Sequence, residues 1–206
     1  MFLDWRERML LEKPFNDDEQ PINSGINRRF FIKAGLGACI GLILLQSAYE
    51  NYTKNTKKTG IRQISFHILH TGEKVKAVYW EKGRYISGAL REIDNVLRDH
   101  RTGKRHAIDI HLLDMVQLLH RMLGAKKEFQ VVSGYRSPET NRLLAAQQHG
   151  VAKHSLHMQG KAIDIRLPEF SLSDVRKAAL SMQVGGVGYY PGSNFIHLDS
   201  GQVRNW

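Results

Sequence analysis

Two segments carry the residue types that could do chemistry. One is Ser155-Leu-His157-Met-Gln-Gly160-Lys-Ala162-Ile-Asp164; the other, well downstream, is Phe195-Ile-His197-Leu-Asp199. Two imidazoles and a carboxylate suit Zn²⁺, and three protein ligands leave the fourth tetrahedral position open for a water. Such an open position is what metal-assisted hydrolysis requires. The one cysteine, Cys39, lies in an apolar run near the N-terminus, so a metal site in the rest of the chain must use histidine and carboxylate. The ligand set read from the sequence is therefore His157, Asp164 and His197, with His154 a neighbour facing substrate or supporting a ligand.

Strand periodicity has to aim these groups. If 162–165 is extended, Ile163 and Ile165 face the core while Ala162 and Asp164 face the other way, because side chains alternate along a strand. By the same rule Phe195, His197 and Asp199 share one face, with Ile196 and Leu198 packed behind. Gly160 permits a tight path that brings His157 back over Asp164, and Ser155 is placed to hold that loop.

The surrounding pattern supplies the scaffold. Alternating segments Ile61 to His70 and Lys74 to Trp80, separated by Thr71-Gly72, predict a hairpin. Ile86, Leu90, Ile93 and Leu97 keep helical spacing, as do Leu112, Val116, Leu119 and Leu123. Phe129 to Val132 reads as a strand ending in the turn Ser133-Gly-Tyr-Arg136. Ser137-Pro-Glu-Thr140 then opens a helix that closes at His149-Gly150. Ser173 to Met182 is helical, and Val187 to Tyr190 pairs with Phe195 to Leu198 around Pro191-Gly192. The fold class is α+β, an antiparallel sheet with packed helices.

The chain of 206 residues has a formal charge of +10. Residues 1–48 hold six basic and six acidic residues, so the whole excess lies downstream and predicts attraction to a polyanion. Asn27-Arg28-Arg29-Phe-Phe-Ile-Lys33, followed by an uncharged apolar stretch from Ala34 to Ala48, resembles a twin-arginine export signal. The stretch is short of the ~20 residues that span a bilayer, which favours a processed signal, with membrane attachment only if it is retained. The organisation is a leader with its signal at 1–48, a polar linker at 49–60 and one domain at 61–206. The Tat translocase is the partner in export, and the periplasm the destination. Export argues against nucleic acid as a partner and matches the basic surface to an anionic wall polymer.

Ser155-x-His157-x-x-Gly160-x-Ala162-x-Asp164 is similar to the signature of the zinc D-Ala-D-Ala peptidases of the M15 type, and Ser133-Gly-Tyr-Arg136-Ser-Pro resembles their upstream motif. Lys153-His-Ser-Leu-His157 and Val187-Gly-Tyr-Tyr190 bring the chain closer to the murein endopeptidase K branch. The resemblance covers roughly 61–206. It implies a hedgehog/D-Ala-D-Ala peptidase-like fold and a periplasmic Zn²⁺-dependent hydrolase acting on peptidoglycan stem peptides. In that branch the bond cut joins two diaminopimelate residues. M15 relatives commonly carry a glutamate three residues before the last ligand, where this chain has Asn194. Related enzymes place a histidine two after it, where this chain has Asp199. Two residues along a strand is roughly 6.6 Å, so Asp199 is the expected general base, the other role open to it being support of a ligand. Arg136 is expected to bind a substrate carboxylate or the tetrahedral oxyanion, the other reading being a surface ion pair. D,D- or L,D-carboxypeptidase activity and a non-catalytic, zinc-stabilised wall-binding module are the competing functions.

Overall fold

The computed structural model describes residues 60–147, 152 and 154–206. The expected leader, signal and linker lie outside the described residues, apart from Gly60, as does the helix end at His149-Gly150. Among the described residues no helix is long and apolar enough to cross a membrane.

The hairpin forms as its alternation requires. Strand β1 (Ile61–Ile68) buries Ile64, Phe66 and Ile68 and pairs antiparallel with β2 (Lys74–Glu81). Their turn closes with Gly72 at φ +73, where its N–H donates to the Ile68 carbonyl at 2.8 Å. A two-residue β3 (Arg84–Tyr85) extends this edge. Helices α1 (Ser87–Val96) and α2 (Ile110–Met122) follow. Asp109 caps α2 by accepting from the His111 N–H at 2.8 Å, and α2 buries Leu112, Val116 and Leu119 against the sheet. Each such side chain contributes roughly 1.5–3 kcal/mol. Asp114 of α2 accepts from Arg62 at 2.6 Å and from the Tyr79 hydroxyl at 2.9 Å, tying helix to hairpin.

These helices bridge the chain to β4 (Phe129–Ser133), which pairs parallel with β1. A tight turn can join only antiparallel strands, whereas a two-helix connection lets the chain return in the same direction. Beyond β4 come α3 (Pro138–Gln147), β5 (Ala162–Arg166), α4 (Leu172–Ser181), β6 (Gly186–Tyr190), β7 (Phe195–Asp199) and β8 (Arg204–Asn205). One sheet holds all eight in the order β3-β2-β1-β4-β5-β7-β6-β8. The α+β class stands. The sheet is mixed, since β1 with β4 and β6 with β8 run parallel while the other five pairings are antiparallel.

Register does the positioning. Asp164 on β5 lies opposite His197 on β7 and also pairs with Ser133 on β4, while Ile163 and Ile165 pair with Leu198 and Ile196. All four of those apolar residues are buried. Packing the apolar faces of β5 and β7 into the core therefore forces Asp164 and His197 together on the other side.

Candidate metal centre

His157 is delivered by a single 3₁₀ turn, Leu156–Gln159. Ser155 begins it, its hydroxyl accepting from the His157 N–H at 3.3 Å, and Gly160 ends it in the left-handed region at φ +65. Only glycine fits there, since a Cβ would collide with the Ala107 carbonyl oxygen. The turn is then clamped by the end of β4. Gly134 accepts a hydrogen bond from His157 Nδ1 at 2.7 Å, and the Arg136 N–H donates to the His157 carbonyl at 3.1 Å.

With that clamp in place, His157 Nε2, Asp164 Oδ1 and His197 Nδ1 converge. Their separations are 3.2 Å (His157 to Asp164), 3.3 Å (His157 to His197) and 2.9 Å (Asp164 to His197). Zinc bonds of about 2.0–2.1 Å in a tetrahedron place ligand atoms about 3.3 Å apart, so this triangle has the dimensions of one tetrahedral face. His157 is 3% and Asp164 6% exposed, so the donors are shielded from bulk water. Burial disfavours the Asp164 carboxylate, yet the two imidazoles hold it well below the usual range. Burial likewise opposes a charge on His197, but the hydrogen bonds with Asp164 and Asp199 prevail and push it up to about 9. The site demands positive charge, which a divalent cation supplies.

The two histidines are oriented from behind, as metal-bound imidazoles ordinarily are. His157 uses the Gly134 carbonyl. His197 presents Nδ1 to the triangle, and its Nε2 lies 3.0 Å from Asp199 Oδ2. Asp199 is 0% exposed and surrounded by donors. Its Oδ1 accepts from Gly186 N–H (3.2 Å), Gly201 N–H (2.9 Å) and Arg204 (3.1 Å), and its Oδ2 from Arg204 at 2.7 Å. Burial raises a carboxyl pKa, yet these donors and His197 bring this one down to about 2. A group so weakly basic, with every lone-pair direction engaged, does not suit the base role expected of Asp199. What the geometry offers instead is an anchor for His197.

Arg136 lies at the edge of the triangle, its Nη2 3.7 Å from Asp164 Oδ2. Among the described residues its hydrogen bonds are long, to Asn141 (3.4 Å) and Ser133 (3.5 Å), and its buried Nε has no hydrogen-bond partner. The surface ion pair considered for it does not describe this setting, because the side chain is mostly buried beside the triangle. Asn194 is the exposed left-handed residue that closes the 3₁₀ turn Pro191–Ser193, at φ +53, a turn position that asparagine tolerates. His154 is exposed.

A model of the M15-type family described as peptidoglycan L,D-endopeptidase MepK matches residues 55–206. The chain belongs to that family. It is 42% identical over 181 residues to the peptidoglycan L,D-endopeptidase MepK of Escherichia coli K12, a match spanning 87% of this chain and 97% of the relative. A probable peptidoglycan L,D-endopeptidase MepK of Haemophilus influenzae is 36% identical over 181 residues, covering 87% and 95%. The resemblance read from the motifs was to this MepK branch.

Around the triangle of this MepK-family chain stand residues that sequence reasoning passed over. Arg204 grips Asp199. Trp206 stands against the His197 ring, centroids 5.3 Å apart, with the Arg204 guanidinium 5.0 Å from its own ring centre. Its backbone bonds to Val187 and Tyr189, and its indole N–H donates to the Tyr190 hydroxyl at 2.7 Å. Gly188 makes room, since a Cβ there would come within 2.8 Å of the indole. Of the two tyrosines in the Val187-Gly-Tyr-Tyr190 segment, Tyr189 packs on the core and Tyr190 is exposed.

Proposed function

We propose that the chain is a zinc-dependent peptidoglycan L,D-endopeptidase that hydrolyses cross-links between diaminopimelate residues, with His157, Asp164 and His197 as the metal ligands. The observation that carries this reading is the three-atom triangle with the edges of a tetrahedral zinc face; the MepK family supports the substrate class. Bound there, zinc supplies Lewis acidity and a water acidified toward neutrality.

The remaining work falls to the chain itself. Gly134 and Asp199 hold the two imidazoles in the orientation that keeps His157 Nε2 and His197 Nδ1 free to bind. Asp164 supplies the negative charge. Arg136, with an unpartnered Nε and a guanidinium beside the ligands, meets the substrate, either at a carboxylate or at the oxygen that gains charge when the carbonyl is attacked. A donor already aimed at that point costs no reorganisation during the reaction. A wall substrate requires export, and the pair Arg28-Arg29 supports passage through the Tat translocase to the periplasm.

Incubation of purified cross-linked muropeptide dimers with the protein, followed by mass spectrometry, tests this. Dimers joined through two diaminopimelates are expected to give monomers, none in the presence of a chelator, with activity restored by added zinc. Release of a terminal alanine alone would make the protein a carboxypeptidase. Binding without any product would make it a wall-binding module.

A further inference from the structure

Two glycines shape the sheet beside the triangle. On β6, Gly188 pairs with His197 of β7 and Gly186 pairs with Asp199. Residues directly opposite each other share one face of a sheet, so both glycines open onto the side where His197 and Asp199 stand. The space above them is filled from β8 and the residue after it. A Cβ on Gly186 would strike the side chains of Asp199 and Arg204, and a Cβ on Gly188 would come within 2.9 Å of three atoms of the Trp206 indole.

These two side chains hold His197 in different ways. Arg204 acts through Asp199, which meets the Nε2 edge of the imidazole at 3.0 Å. A hydrogen bond at one atom fixes a distance but leaves the plane of the ring free to tilt. Trp206 stands against the ring itself, with centroids 5.3 Å apart and planes inclined at 48°, and so limits that tilt. Orientation matters because an imidazole turned over about its Cβ–Cγ bond puts Cδ2 where Nδ1 was and Cε1 where Nε2 was. The triangle would lose a donor and Asp199 its partner together.

The indole is fixed in turn. Its N–H donates to the Tyr190 hydroxyl at 2.7 Å, Tyr190 stacks on Phe195 with centroids 4.7 Å apart, and the Trp206 backbone bonds to Val187 at 3.3 Å and Tyr189 at 3.0 Å. Yet Trp206 is 47% exposed and lies outside the hydrophobic core. What it packs against is His197.

We propose that Trp206 is a positioning residue for the metal centre: seated in the space that Gly188 leaves, its indole keeps the His197 imidazole in the plane that presents Nδ1 to the metal. The inference rests on the ligand assignment above. It makes zinc affinity depend on a side chain that is not itself a ligand.

Titration of the full chain against a zinc-binding dye tests this without turnover. Trp206→Ala is expected to bind zinc about tenfold more weakly, the lower end of what loss of an outer partner costs, and Trp206→Phe, which keeps an aromatic plane, to recover most of that loss. Gly188→Ala reaches the same contact from the other side. Gly188 lies outside the left-handed region, so the added methyl suits the backbone and displaces the indole, with a loss of similar size expected. Carried together, Gly188→Ala and Trp206→Ala are expected to weaken zinc no more than Trp206→Ala alone, because the methyl then has no indole to displace. Thermal melts in chelator follow the metal-free fold separately. Unchanged zinc affinity in Trp206→Ala, or losses that add in the double variant, overturns the inference. So does a loss that Trp206→Phe fails to recover and that runs parallel to a lower metal-free melting temperature, which would make Trp206 a structural residue only. A wild type that binds zinc and is indifferent to Trp206 loses this inference alone; one that binds no zinc loses the ligand assignment and this inference with it.

Discussion

Asp164→Ala will strip the protein of stoichiometric zinc and abolish hydrolysis of cross-linked dimers. Asp164 Oδ1 lies 2.9 Å from His197 Nδ1 and 3.2 Å from His157 Nε2, and Asp164 is the only anion in the triangle. Without it only two imidazoles remain, too few to hold zinc against water, and Arg136 loses the carboxylate 3.7 Å away that balances its charge. The loss will exceed the 10- to 100-fold that removal of an outer partner typically costs. Elemental analysis after gel filtration measures the metal, and a thermal melt checks that the variant is folded. Folded Asp164→Ala protein with full zinc and full turnover would exclude Asp164 as a ligand.

Asp199→Asn will separate the two roles open to this residue. As an anchor for His197, its loss weakens zinc affinity by about 10- to 100-fold while turnover at saturating zinc is largely retained. As a general base, its loss would leave zinc affinity unchanged and remove turnover. The first outcome is expected, because the carboxylate is 0% exposed, is gripped by Arg204 at 2.7 Å and has been brought down to a pKa of about 2. A proton acceptor has to be reachable and basic, and Asp199 is neither. Competition with a fluorescent chelator gives the affinity, and the rate is read with zinc in excess. Unchanged affinity with lost turnover would restore the base assignment.

The meeting of Asp164 and His197 on one face was legible in the sequence because period-two alternation and burial leave no choice once Ile163, Ile165, Ile196 and Leu198 are recognised as core. The anchor of His157 was not, because the Gly134 carbonyl is a backbone atom that no residue type announces. Asp199 was noticed, but strand spacing reports distance and not which atoms already surround a carboxylate. Its true neighbours, Gly186, Gly201 and Arg204, come from three separate turns and edges. Trp206 was hidden for a similar reason: a lone aromatic has no periodicity, and its place against His197 depends on a parallel pairing of β8 with β6. That pairing, and the parallel β1–β4 contact, depend on which strands become neighbours, and alternation within a strand does not encode this. The hairpin, both helices before β4 and the Ser137 start of α3 were legible, since each depends on local spacing and capping alone.

The central claim is that His157, Asp164 and His197 grip one zinc ion. Anomalous diffraction from crystals at the zinc absorption edge tests it most directly. A single peak is expected at about 2.0–2.2 Å from His157 Nε2, Asp164 Oδ1 and His197 Nδ1, with one corner left to solvent. A zinc-replete crystal with no peak there, or with its peak on other residues, would contradict it.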